Sequence, residues 1–463
     1  MNAKKMHFEI SERKLLLRIF DILAVFGVLF FLESVSQFDY LILSGERLWP
    51  SIFLAFYITV VGSVFEMYNL QVASNQFQIT RSIMLTASVT VLVYLLTPIY
   101  TPLLPSNRIQ ILYFYLAVLG ALFIWRSIYV RFLASQRFLK KAVLICDGAQ
   151  LKELVAGLNT TYPHYTIVGF VNTDSQGSSN PVSKNIVGID PSDLTLFAQK
   201  NSVSEIVVAS QKTDGITTLL YNQLIHMLEG GFIIREYTQV YEEITQRIPV
   251  QYVSQDFYRY FPFSRSNQNH LYLLIIRILE ILFSITGILI GLSILPLIVI
   301  GNLIGNRGKL FYTQERVGKN GEIFNILKFR TMVKNAEANG AVFTTTNDAR
   351  ITPFGKFMRK ARLDEFPQFI NILKGDMAVI GPRPERPVFV NEIAELMPFY
   401  ETRHVVKPGL TGWAQVNYSY GDSISDSLMK LQYDLYYIKH RSIFLDVNIV
   451  VKTLSTVLFY RGQ

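Results

Sequence analysis

Cysteine is nearly missing: one residue in 463, Cys146, which excludes an intramolecular disulfide framework, a CxxC redox pair and a cysteine-rich zinc site. Histidine is also sparse, with six scattered residues and neither an HExxH nor a close pair, so a histidine metal centre has nothing to build on. Charge is low. Only 17% of residues are charged while 50% are hydrophobic, and the mean hydropathy of +0.28 is too apolar for a disordered or wholly soluble chain of this size. There is no DxD, no internal repeat and no low-complexity tract, which disfavours a conventional metal-dependent glycosyltransferase and a solenoid alike. What remains is a membrane protein. Its 44 Lys+Arg against 35 Asp+Glu give a net charge of +9, an excess that a polytopic chain keeps on cytosolic loops; nucleic acid is not expected as a partner.

At about 150 residues per domain the length allows roughly three units. Four uncharged or nearly uncharged runs come first: Leu15 to Leu32, Leu48 to Phe65, Ser82 to Leu104 and Ile109 to Trp125. Each approaches the ~20 residues a bilayer requires. Lys4, Lys5, Arg13 and Lys14 precede the set, and Arg126, Arg131, Arg137, Lys140 and Lys141 follow it. An even number of spans with both ends in the cytosol fits that distribution. From Lys140 to about Val250, β-branched runs (142–146, 166–171, 205–210, 232–237) alternate with amphipathic stretches, as in a Rossmann-like parallel sheet. The first turn reads Cys146-Asp147-Gly148-Ala149-Gln150, one glycine where GxGxxG would need three. A structural or regulatory module is therefore expected there, not a dinucleotide site.

A fifth apolar run, Ile281 to Asn306, is flanked by Arg265 and Arg277 on one side and by Arg307, Lys309 and Arg316 on the other, so both flanks belong in the cytosol. Pro296 lies inside it and removes a helical donor. Two forms fit: an ordinary kinked span, or a helix that enters, breaks near Ser293 to Pro296 and returns, with the Ser293 hydroxyl taking a freed carbonyl. Near the C-terminus, Val447, Val450, Val451, Leu454 and Leu458 at helical spacing describe an amphipathic helix, lying on a membrane or buried against its own domain.

Chemistry concentrates beyond Gly308. Phe366, Phe369, Ile370 and Leu373 recur at helical spacing up to Gly375, and a proline at 367 is tolerable only in a first turn, so a helix is expected to begin close to Asp364. Asp364 and Glu365 then sit at a helix N-terminus, where carboxylates stay ionised and phosphate is attracted, with Arg359, Lys360 and Arg362 crowding the approach. Asp364 reads equally as an N-cap or as a group that attacks or coordinates phosphate. Alternation places Lys328 and Arg330 on one strand face, able to grip a diphosphate, or simply an exposed basic strand. Gly381-Pro382-Arg383-Pro384 presents Arg383 on a stiff arch.

QERVG at 314–318, KFRTM at 328–332, FGKFMRKARLDEFPQFINILKGDMAVIGPRP at 354–384, KPGLTGWAQVN at 407–417 and YDLYYIK at 433–439 make residues 271–463 resemble the bacterial sugar transferases. These are monotopic polyprenyl-phosphate phosphoglycosyl transferases that start exopolysaccharide and other glycan assembly. The earlier part resembles the N-terminal extension of the long members. The resemblance implies three parts: a four-helix transmembrane region at 1–135, a Rossmann-like cytosolic domain at 136–255, and a catalytic domain at 256–463. The last holds a re-entrant helix at 271–305, broken at Ser293 and Pro296, and amphipathic interfacial helices. It implies that the Asp364-Glu365 dyad is catalytic and binds Mg2+, and that Asp364 takes the sugar phosphate of a UDP-sugar, releases UMP and passes the group to polyprenyl phosphate. Lys328, Arg330, Arg359 and Arg383 are the expected substrate-binding residues. Expected partners are the donor, the lipid acceptor, the bilayer of the bacterial inner membrane, downstream glycosyltransferases and a second copy of the chain. After Asn417 the sequence reads Tyr418-Ser419-Tyr420-Gly421-Asp422, where many relatives carry Gly-Arg. A membrane-tethered nucleotide-sugar oxidoreductase or epimerase lacks its GxGxxG, and a transporter or scaffold lacks mid-span ionisable groups.

Overall fold

The computed structural model describes residues 10–35, 38–41, 48–68, 72–73, 76–133, 140–159, 165–173, 186–209, 216–250, 267, 269–334, 336, 348–397, 399–418 and 424–458. Lys4, Lys5, Arg137, Arg265 and Ser419 to Asp422 lie outside them. The chain forms two compact units, residues 1–240 and 241–463.

The first unit opens with four apolar helices: α1 (Ile10–Val35), α2 (Trp49–Val64), α3 (Gln76–Leu96) and α4 (Ile109–Ile128). α1 packs on α4, α2 on α3 and α3 on α4. α1, α3 and α4 are long and apolar enough to cross a bilayer, while α2 has only 16 residues. The third span differs from the expected Ser82–Leu104: it begins at Gln76 and ends at Leu96, because Thr97 precedes Pro98 and a residue before proline leaves the helical region. Asp21 and Arg126 meet across α1 and α4. Nε and Nη2 of Arg126 donate to the two Asp21 oxygens at 2.9 and 2.6 Å, and both side chains are wholly buried. Arg18 and Arg126 also lie over the Tyr68 ring.

The same unit holds a parallel sheet of β1 (Lys140–Cys146), β2 (Tyr165–Asn172), β3 (Val187–Gly188), β4 (Glu205–Val208) and β5 (Ile233–Glu236) in the order 3-2-1-4-5. This is the expected Rossmann-like arrangement. α5 (Leu151–Asn159), α6 (Leu194–Lys200) and α7 (Thr218–Glu229) complete it, and α8 (Tyr237–Thr245) begins in this unit and ends in the second. After β1 the Gly148 amide, which a nucleotide site would offer to phosphate, donates to Asn172 Oδ1 at 3.0 Å.

The second unit is threaded by α9 (His270–Gly301), followed by a π-turn at Asn302–Asn306. Helical structure runs unbroken through Ser293 and Pro296, so the expected break is not an end between two helices. Proline deletes one donor and bends a helix without necessarily terminating it, and the Ser293 hydroxyl bonds Leu289 O at 3.0 Å. Next come the hairpin of β6 (Phe311–Val317) and β7 (Ile323–Phe329), then α10 (Pro353–Lys360), α11 (Gln368–Lys374) and β8 (Ala378–Ile380). α12 (Pro387–Leu396) leads to β9 (Gly409–Thr411), which pairs in parallel with β8. α13 (Trp413–Asn417), α14 (Ile424–His440) and α15 (Ile443–Leu458) finish the chain. Trp413, Leu431, Leu435, Tyr437 and Ile449 form the main core. α15 has two faces. Ile449 is buried and Lys452 stacks on Trp413 at 4.4 Å, whereas Ile443, Phe444, Val447 and Leu454 are exposed.

Candidate active site

The acidic pair stands in a short turn between two helices, α10 and α11. α10 starts where Thr352 caps it by accepting from the Gly355 amide at 2.9 Å, and it ends at Lys360. Arg362 then takes a left-handed conformation, φ 56°, and turns the chain into a 3-10 turn at Leu363–Glu365. A non-glycine residue held there is a strained element of the kind found at functional sites. α11 proper begins at Gln368, with Pro367 at its N-cap and Gly375 closing it at φ 99°. The expected helix start near Asp364 is therefore four residues early: the segment before Pro367 closes a tighter turn first, and that turn aims Asp364 inward.

α9 fixes this turn in space. Phe366 lies against Gly291 and Phe369 against Gly287, where an added Cβ would stand 3.3 and 2.5 Å from the rings. Arg277, nearly three turns before Gly287, donates to the carbonyls of Ile372 and Leu373, both at 2.8 Å, at the far end of α11. At the other end of α9, Phe354 of α10 fills the notch at Gly301. The notches let aromatic rings of the turn and both short helices seat directly on the α9 backbone.

Asp364 is 8% exposed, and its Oδ1 is buried without a hydrogen-bond partner. Glu365 Oε1 accepts from Arg362 Nη1 at 3.1 Å and from Arg383 Nη2 at 3.4 Å. Burial and the neighbouring Glu365 charge raise Asp364 above the ordinary carboxylate range, against Lys328, Arg359 and Arg362. Burial opposes ionisation of Glu365 too, but Arg383, Arg362 and Lys328 outweigh it and hold that carboxyl at about 2. Burial, then Arg383, lowers the Lys328 ammonium to about 8. The result is one firmly ionised carboxylate, one carboxylate with an open oxygen, and a ring of cations.

Of the residues singled out from sequence, Asp364, Glu365, Lys328, Arg359 and Arg383 fall in one cluster. Arg359 also donates to Thr331 Oγ1 at 3.0 Å. Arg330, one residue past the end of β7, turns to the end of α9, where its Nη2 donates to Asn306 O at 3.0 Å and its own carbonyl accepts from Asn306 Nδ2 at 2.8 Å. Arg362, Arg316 and Arg403 emerge as further members or supports. Arg316 lies within QERVG, and Arg362 within the basic approach to the pair; Arg403 has no signal, since a lone arginine reads as surface. Among the described residues no group of three His, Cys, Asp or Glu side chains is arranged to hold a metal by itself.

A profile described as bacterial sugar transferase matches residues 271–460. A UDP-N-acetylgalactosamine-undecaprenyl-phosphate N-acetylgalactosaminephosphotransferase of Aeromonas hydrophila is 50% identical over 151 residues, 33% of this chain and 36% of the relative. An undecaprenyl-phosphate glucose phosphotransferase of Komagataeibacter xylinus is 27% identical over 343 residues, 71% of this chain and 61% of the relative. A putative undecaprenyl-phosphate N-acetylgalactosaminyl 1-phosphate transferase of Bacillus subtilis is 43% identical over 141 residues, 30% of this chain and 79% of the relative. The match thus spans about a third of the Aeromonas protein and most of the shorter Bacillus one.

Proposed function

Since the chain belongs to the bacterial sugar transferase family, we propose that it moves a sugar 1-phosphate from a UDP-sugar to polyprenyl phosphate at the cytoplasmic face of the inner membrane. The observation that carries this reading is the buried, unpartnered Oδ1 of Asp364 inside a ring of cations. Asp364 attacks the phosphorus that bears the sugar, the bond to the bridging oxygen breaks, and UMP leaves with the electron pair. Polyprenyl phosphate then attacks the aspartyl phosphosugar, the carboxylate departs, and a polyprenyl diphosphate sugar is formed. Lys328, Arg359 and Arg383 orient the diphosphate and offset its charge, which is most of what phosphoryl transfer asks of a protein. Glu365 holds Arg362 and Arg383 in place. The donor set suits Mg2+, which takes one or two carboxylates and completes its shell with phosphate oxygens and water; Asp364 and Glu365 would hold it, and it would neutralise diphosphate charge. Incubating membranes with a panel of UDP-sugars and polyprenyl phosphate tests the reading: UMP and lipid-linked sugar are expected together, and their absence with every donor rejects it.

Lys328 gives the reaction a basic limb. It is charged below about 8, so its grip on the diphosphate weakens as pH rises through that value. kcat/KM for the UDP-sugar is expected to fall above about pH 8, and Lys328→Arg, charged throughout, to move the limb upward. An unmoved limb would exclude Lys328 as its source.

α9 enters and leaves the bilayer on one side. One soluble unit lines it from Arg277 through Gly287 and Gly291 to Gly301, while Leu282, Phe283, Leu289, Ile290, Leu297 and Ile300 are exposed. A helix standing across the membrane cannot keep a soluble domain along its length, so a bend at Pro296 and a return to the cytosolic headgroups fit better. Single cysteines at Asn269 and Arg307, in a Cys146→Ser background, should both be labelled from the cytosolic side alone. Labelling from opposite sides would establish a crossing.

A further inference from the structure

Four consecutive carbonyls of the arch that carries Arg383 each accept a hydrogen bond from a different place in the unit. Gly409 N reaches Pro382 O at 2.9 Å, Arg403 Nη2 reaches Arg383 O at 2.9 Å, Arg316 Nη1 reaches Pro384 O at 3.0 Å and Val317 N reaches Glu385 O at 2.9 Å. Two of these donors are arginine side chains. The one on Arg383 itself, Arg403, is only 5% exposed; its Nη2 also donates to Asp434 Oδ2 at 2.7 Å and its Nη1 to the Tyr400 hydroxyl at 2.6 Å. Asp434, 1% exposed, projects from α14, so the C-terminal part of the unit reaches the arch through one buried ion pair.

Such a pair is a poor way to gain stability. Taking both charges out of water is costly, and apolar residues of similar volume commonly serve as well or better. What an apolar replacement cannot supply is a donor aimed at the Arg383 carbonyl. We propose that Arg403, clamped by Asp434, is a positioning residue that acts through Arg383, setting the backbone from which the Arg383 guanidinium reaches Glu365 and the donor diphosphate. The proposal rests on the phosphoglycosyl transfer reading above, in which Arg383 meets the diphosphate.

The test uses the full-length protein in membranes and follows single-turnover UMP release. Arg403→Met combined with Asp434→Leu keeps the volume and removes the donor. UMP release is expected to fall about 100-fold, the scale of loss for a misplacement of about 1 Å, with the thermal unfolding midpoint unchanged. In an Arg383→Ala background the same pair of substitutions is expected to cost less than about 3-fold, because the residue it positions is already gone. Wild-type rates in the Arg403→Met, Asp434→Leu variant, or an equal loss in both backgrounds, would overturn the proposal. If the Arg403→Met, Asp434→Leu variant does not fold, Asp434→Asn goes through the same two-background comparison with the same expectations. A folded wild-type protein that releases no UMP from any donor rejects the functional reading itself, an outcome distinct from either result of the cycle.

Discussion

Asp364→Asn is expected to lower sugar-phosphate transfer by about four orders of magnitude or more, the scale seen when a covalent nucleophile is removed. Asparagine has nearly the same shape, so the 3-10 turn at Leu363–Glu365 and the seat of Phe366 on α9 should persist. What changes is the carboxylate whose Oδ1 is buried without a partner, which becomes an amide that cannot form an acyl phosphate under these conditions. UDP-sugar should still bind, because Lys328, Arg359 and Arg383 remain. Measuring turnover beside equilibrium binding of the donor separates the two effects. More than a few per cent of residual activity would return Asp364 to a purely structural place in the turn.

Gly287→Val is expected to have the second-largest effect. The new Cβ alone would stand 2.5 Å from the Phe369 ring, and the ring cannot swing aside without moving α11. α11 follows the acidic turn directly, so displacement there shifts Asp364 against Lys328, and about 100-fold in turnover is a reasonable loss for a shift of about 1 Å. Gly291→Ala is the control. Its Cβ would approach Phe366 at 3.3 Å, which needs a few tenths of an ångström of adjustment. Turnover measured on membrane-inserted protein should drop steeply for the first and little for the second. Equal behaviour of the two variants would mean that the close seating of α11 on α9 does not set the geometry of the acidic pair.

The spans were legible from sequence because a mid-bilayer charge is costly, so uncharged runs of sufficient length mark them directly. Their ends were less so. Thr97-Pro98 stops α3 while the apolar run continues, since backbone chemistry and not hydrophobicity decides where a helix ends. β1, β2, β4 and β5 were readable as β-branched runs, whereas the two-residue β3 leaves no pattern. At the site, the acidic pair and its cations were visible in the motifs, but the local structure was not: the periodicity of Phe366, Phe369 and Leu373 continues across Pro367 and hides the change from 3-10 turn to helix. Strand alternation puts Lys328 and Arg330 on one face of a strand, but β7 ends at Phe329, and Arg330 just beyond it is taken up by Asn306. Partners separated by 31 residues, such as Arg403 and Asp434, are set by tertiary packing, which no local spacing records.

Asp364 is expected to carry a sugar-bearing phosphoryl group covalently before any lipid takes part. Intact-protein mass measurement after incubation with UDP-sugar alone tests it most directly. About one equivalent of UMP per protein is expected, with a mass gain equal to one phosphosugar on the peptide holding residues 363–366, and neither signal in Asp364→Asn. Unmodified protein, with UMP appearing only when polyprenyl phosphate is added, would contradict it and indicate direct transfer between the two substrates.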